Sequence, residues 1–146
     1  MVNSKILIAG LVGGIVSFLC GFLIFGIALD GFAEANGGAI DASKADADYK
    51  MWSIFLGAMA SGFMMAMIFG RWASISTVKT GAIAGSIIGV LIGINFNFIM
   101  YGTTELMTMP LVIVNSIAYA ALYALIGAAV AYMLGRNVPA MAEATA

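Results

Sequence analysis

Four stretches of the chain carry no charged residue, and the charges are collected between and beyond them. The stretches are residues 6–29, 51–69, 81–101 and 109–134. Each is near or above the roughly 20 apolar residues that a helix needs to cross hydrocarbon. The pattern predicts an all-α polytopic membrane protein, a single domain over residues 1–146, with four transmembrane helices and an outer loop at 30–50. The first run has the look of a signal peptide, since Lys5 precedes it and Ala33-Glu34-Ala35 resembles a cleavage site. Its apolar length of about 24 residues exceeds the roughly 7–15 of a signal core, so it reads as a retained helix.

Inside the third run, Gly81, Gly85, Gly89 and Gly93 stand four apart. In a water-exposed helix each would cost about 1 kcal/mol relative to Ala. In lipid the same spacing forms a glycine zipper, because no side chain keeps a neighbouring backbone away. This face is expected to meet the first span through Gly10, Gly14 and Gly21, or a second copy of the chain.

A fainter pattern is recurrence. Ile8-Ala9-Gly10 followed by Gly14 returns as Ile83-Ala84-Gly85 followed by Gly89. Phe69-Gly70-Arg71 closes the second span, and Leu134-Gly135-Arg136 closes the fourth. One reading is two tandem helical hairpins facing the same way, related by an axis along the membrane normal. The other is chance in a chain so rich in Gly and Ala.

The loops supply orientation. Lys5, Arg71, Lys79 and Arg136 fall on one side of the four spans. Lys44 and Lys50 fall on the other, beside Asp30, Glu34, Asp41, Asp46, Asp48 and Glu105. An excess of Lys and Arg marks the cytoplasmic side, which puts both termini in the cytoplasm of a multi-pass protein. Trp52, Trp72, Tyr101 and Tyr132 stand near span ends, where aromatic anchors belong.

Composition narrows the chemistry. The 63% hydrophobic and 9% charged residues fit a membrane chain, against about 25% charged in soluble domains. Six basic and seven acidic residues nearly cancel, so no basic face for nucleic acid is expected. Cys20 is the sole cysteine, which rules out an intrachain disulfide. There is no histidine, which removes the commonest general base and the usual zinc or haem ligand. No spanning run holds a carboxylate or lysine, so small multidrug transporters, rhodopsin-type proteins and proton relays are poor fits. Intramembrane aspartyl proteases need Gly-x-Gly-Asp, whereas Asp30 sits in Ala28-Leu29-Asp30-Gly31. An enzyme is not expected, and neither is a cofactor.

The outer loop offers little more. Gly37-Gly38 should break a helix there, and Asp41 or Ser43 is a candidate cap for a second helix starting near Ala42 and projecting from the membrane. Asp41, Asp46 and Asp48 lack the order of a calcium loop and read as a solvated acidic turn. Met59, Met64, Met65 and Met67 crowd the second span, but position 63 is Phe and position 68 is Ile. The Met pair four apart that Cu(I) transport uses is therefore missing, and methionine reads as packing material.

Polar residues within the spans gather in the outer half. Asn95 and Asn97 lie about 6–9 Å from the outer end of the third span, at about 1.5 Å per residue. Asn115 lies at similar depth on the fourth, with Ser116, Tyr119 and Tyr123 deeper, while Asp30 and Ser53 sit at the same face. An unsatisfied amide in hydrocarbon costs several kcal/mol, so these groups should turn inward and bond one another. The expectation is a polar cup of Asn95, Asn97, Asn115, Tyr119 and Asp30 above a dry, glycine-packed floor. The cup is either interhelical glue or a ligand site.

Gly21-Phe22-Leu23-Ile24-Phe25-Gly26 at the end of the first span, the outer loop and the glycine-rich later spans resemble small four-helix bacterial inner-membrane proteins of unknown function. That resemblance implies bacterial origin, inner-membrane location and no established activity. Two functions follow for the chain as a whole. One is association of helices, as a homo-oligomer or an accessory subunit of a larger membrane complex. The other is binding or transport of a small molecule or lipid through the outer cup. Membrane lipid, other membrane subunits and the chain itself are the expected partners.

Overall fold

The computed structural model describes residues 3–39 and 49–136. Four of its helices are long and apolar enough to cross a membrane: α1 (Ser4–Ala28), α3 (Met51–Ala73), α4 (Val78–Thr103) and α5 (Met109–Gly135). A short α2 (Asp30–Ala35) follows α1 directly. Among the described residues there is no strand, just an isolated bridge between Gly37 and Met107. The protein is all-α, as four charge-free runs require, since a helix satisfies its backbone internally in lipid.

Local chemistry sets the ends of these helices. Asn3 Oδ1 accepts from the Lys5 amide at 3.0 Å and starts α1. Thr77 Oγ1 accepts from the Thr80 amide at 3.3 Å and starts α4. Pro110 lies in the first turn of α5, where a missing N–H costs nothing. Both helices of the first pair end in wide turns, Ile24–Ala28 and Ile68–Ala73, whose backbone bonds skip an extra residue. Trp52 and Trp72 stand out from the ends of α3 at 69% and 70% exposure, in keeping with interfacial anchors.

One expected element differs. A second helix entering the membrane continuously from near Ala42 is not what forms, because Tyr49 and Lys50 are non-helical and α3 begins at Met51. The candidate cap residues Asp41 and Ser43, and the acidic turn with Asp46 and Asp48, lie outside the described residues.

The helices pair as two consecutive hairpins, α1 with α3 and α4 with α5, joined mainly by α1 against α5. α4 rests on α5 and touches the other described elements marginally at most. The expected partner of the α4 glycine face is therefore corrected. Gly81, Gly85, Gly89 and Gly93 are all buried, but against α5 rather than α1 or another copy. A Cβ on Gly85 would overlap the Tyr123 carbonyl oxygen, and one on Gly89 the Tyr119 carbonyl oxygen.

Gly10 and Gly14 of α1 serve the other hairpin. A Cβ on Gly10 would strike the Phe63 ring, and one on Gly14 would strike the Met59 side chain. Gly21 is more open, with Leu122 at 3.9 Å from its notional Cβ.

Both hairpins cross at a glycine on their second helix. Gly62 of α3 lies against the backbone of Gly10, Gly13 and Gly14, and Gly127 of α5 lies against Gly81 and Gly85. Gly62 stands eight positions before Gly70, and Gly127 stands eight before Gly135. In this crossing Gly10 and Gly14 match Gly81 and Gly85, one turn earlier than the recurrence Ile-Ala-Gly suggests.

The core is concentrated at the end where the chain begins. Ala9, Met65, Ala66, Phe69, Ile126, Val130 and Ala131 are at 0% exposure there. Toward the other end, no residue from Gly21 to Ala28 or from Met51 to Ala58 is buried. Lipid tails are as apolar as leucine, so this cluster is held by dispersion between close-packed atoms rather than by exclusion of water.

Candidate functional site

The four-residue stripe of α4 does not stop at Gly93. One more step brings Asn97, which is 1% exposed and faces α5 with the glycines. Its Nδ2 donates to the Gly93 carbonyl at 2.7 Å and reaches Ser116 Oγ at 3.5 Å. Ser116 in turn donates to the Val112 carbonyl at 2.7 Å. The amide is buried because it is in phase with the stripe, and it is tolerated because it is bonded.

Asn95 is out of phase by two residues, half a turn of a helix, and is exposed on the outside of α4. The expectation that it turns inward is corrected, and the helical period was the signal that separates it from Asn97. Asn115 is half-buried on α5. Asp30 is exposed in the first turn of α2, where a carboxylate faces the positive end of the helix.

A second polar strand runs across the bundle. Tyr123 donates its hydroxyl to Ser61 Oγ of α3 at 3.1 Å, and Ser61 donates to the Gly57 carbonyl at 3.3 Å. Tyr119, half-buried, lies with its ring centroid 5.3 Å from that of Phe25 on α1 and 6.3 Å from that of Tyr123. The glycines make this possible, since the backbone at Tyr119 and Tyr123 sits directly on Gly89 and Gly85. Ser61 as the partner of Tyr123 was not foreseen, and nothing local in the sequence joins the two.

At the same end the loop after α2 is tied to the α4–α5 connection. Thr108 Oγ1 donates to the Asn36 carbonyl at 2.5 Å, and the Gly38 amide donates to the Leu106 carbonyl at 3.1 Å. Gly38 breaks the helix as its type suggests, but it also allows close approach, since a Cβ there would overlap the Glu105 carbonyl oxygen.

These groups are amides, hydroxyls and phenols, suited to hydrogen bonding between helices or to a neutral polar ligand. Among the described residues every buried side-chain nitrogen and oxygen has a partner. No group of three or more Cys, Asp or Glu side chains converges among them to hold a metal. No family model, curated protein or solved structure matches the chain.

Proposed function

We propose that the protein works by lateral association of helices in a bacterial inner membrane, as a homo-oligomer or an accessory subunit, with both termini in the cytoplasm and no catalytic step. One observation supports this above others. The glycines of α4 are spent inside the chain, yet α3 keeps a face with small residues that no other described residue covers. Ser53, Gly57 and Ala60 are exposed together on it with the larger Met64 beside them, within about 60° of arc at 100° per residue. A Cβ on Gly57 would meet nothing within 4 Å. Small residues left uncovered in lipid are where another helix can come close.

The competing reading, a binder or transporter using Asn95, Asn97, Asn115, Tyr119 and Asp30, has less to draw on. Asn97 is engaged by Gly93 and Ser116, and Asn95 and Asp30 are exposed.

Gly57→Leu separates association from folding, because the position is exposed and a Cβ there meets open space among the described residues. Native mass spectrometry from mild detergent should show the assembly of the wild type reduced in this variant, at unchanged melting temperature of the chain. An assembly indifferent to Gly57→Leu, or a wild type that cross-links in membranes neither to itself nor to another protein, would overturn the proposal.

A further inference from the structure

The charges are unevenly shared between the two ends of the bundle, with Lys50 the described cation at the acidic end. Lys5, Arg71, Lys79 and Arg136 stand at the end where α1 begins, α3 and α5 finish and α4 starts. The described carboxylates, Asp30, Glu34 and Glu105, all stand at the opposite end. Within the basic end is a groove of about 300 Å³ lined by Asn3, Lys5, Ser74 and Ser76 over a floor that includes Phe69 and Leu134.

Its walls are assembled from separate helices. Lys5 is half-buried on the first turn of α1, and its Nζ donates to the Leu134 carbonyl of α5 at 3.4 Å. That long bond occupies one of three ammonium donors. Ser74 lies in the left-handed region at φ 52°, and the Ile75 amide is bonded to the Phe69 carbonyl at 3.0 Å, which shapes the loop that forms the rim. Ile6 and Phe69 beneath are buried, so the groove has an apolar base and a polar, cationic lip.

Depth decides what can reach it. Trp72 and Tyr132, at 70% and 52% exposure, ring the same end and set it at the headgroup level of a bilayer. A cation, hydroxyls and an amide around an open space at that level match a phosphate oxyanion.

We propose that this groove holds the phosphate of an anionic glycerophospholipid, with Lys5 as its charged contact and Ser74 and Ser76 as hydroxyl donors. The lipid is the source favoured over free phosphate because the base of the groove is apolar and the groove lies at the ends of helices long enough to span a bilayer. The site is separate from the α3 face and stands or falls without it.

The test is lipid retention by native mass spectrometry of the full chain, with phosphatidylglycerol and phosphatidylcholine as probes. One phosphatidylglycerol should be retained per chain in preference to phosphatidylcholine. Lys5→Gln should weaken retention about tenfold, the worth of a charge-assisted hydrogen bond to the phosphate, and Lys5→Arg should preserve it. Ser76→Ala, which keeps the backbone and Cβ that lie near Gly135 and removes just the hydroxyl of an exposed residue, should weaken it in the same direction. Lys79→Gln, at the same end but outside the groove, should change it less than about twofold, since general charge attraction is diffuse and screened. Equal loss from Lys79→Gln and Lys5→Gln would overturn the site in favour of the overall field. Unchanged retention in both Lys5→Gln and Ser76→Ala would also overturn it. Release of the lipid by millimolar inorganic phosphate would reassign the groove to a free oxyanion and overturn the lipid proposal.

Discussion

The hydroxyl of Tyr123 on α5 donates to Ser61 Oγ on α3 at 3.1 Å, a side-chain bond from one hairpin to the other. Ser61 passes the interaction on to the Gly57 carbonyl, so the phenol is anchored to the backbone of α3. The bond lies between α3 and α5, which otherwise touch less than α1 and α5 do.

Removing either partner therefore loosens the joint between hairpins without breaking either one. Tyr123→Phe and Ser61→Ala are expected to couple by about 0.6 kcal/mol, and by no more than about 1.7, the range for hydrogen bonds between membrane helices. A double-mutant cycle on unfolding in mixed micelles measures it. Strict additivity would show that the bond does not hold the hairpins.

The α4–α5 contact has no room for a side chain on its glycines. Gly85→Leu and Gly89→Leu drive a Cβ onto the carbonyls of Tyr123 and Tyr119, where backbone cannot rotate away. Each should cost at or beyond the upper end of the about 1–3 kcal/mol typical of overpacking. Melting temperature and protease resistance of the second hairpin report it. The first hairpin, which meets the second through α1, should stay helical. Unchanged melting in both variants would mean that the stripe faces lipid.

The three asparagines should separate by phase. Asn97→Leu removes a buried amide that bonds Gly93 and Ser116 and is expected to cost about 0.6–2 kcal/mol. Asn95→Leu replaces an exposed amide in an apolar setting and should leave stability level or raise it, while Asn115→Leu, half-buried, should fall between. Thermal melting of the three variants in one detergent gives the order. If Asn95→Leu were the most damaging, the placement of the stripe would be wrong.

How far the fold was legible varies by level. The four spans were readable to within a few residues, since Met51 and Met109 start α3 and α5 where the apolar runs start. Their far ends run on, as at Ala73 and Thr103, because wide turns and capping hydroxyls extend a helix past its apolar stretch. In the candidate site, type and depth suffice to turn Asn97 and Tyr119 toward the bundle. Asn95 shares that depth but not the rotation about the helix axis, which is why depth alone does not place it.

The sequence by itself determined that the chain is helical, that it crosses four times and which end carries most of the cations. Hydrocarbon enforces these: a backbone there must bond within its own helix, and charge is kept out of the spans. Which helix meets which was decided only by tertiary structure. Gly10, Gly14, Gly62, the α4 stripe and Gly127 all offer close approach, and in lipid no difference in apolarity favours one pairing over another. The choice falls to shape. Gly62 fits the backbone of Gly10 to Gly14, Gly127 fits that of Gly81 and Gly85, and the polar bond from Tyr123 to Ser61 follows from where those crossings set the two hairpins.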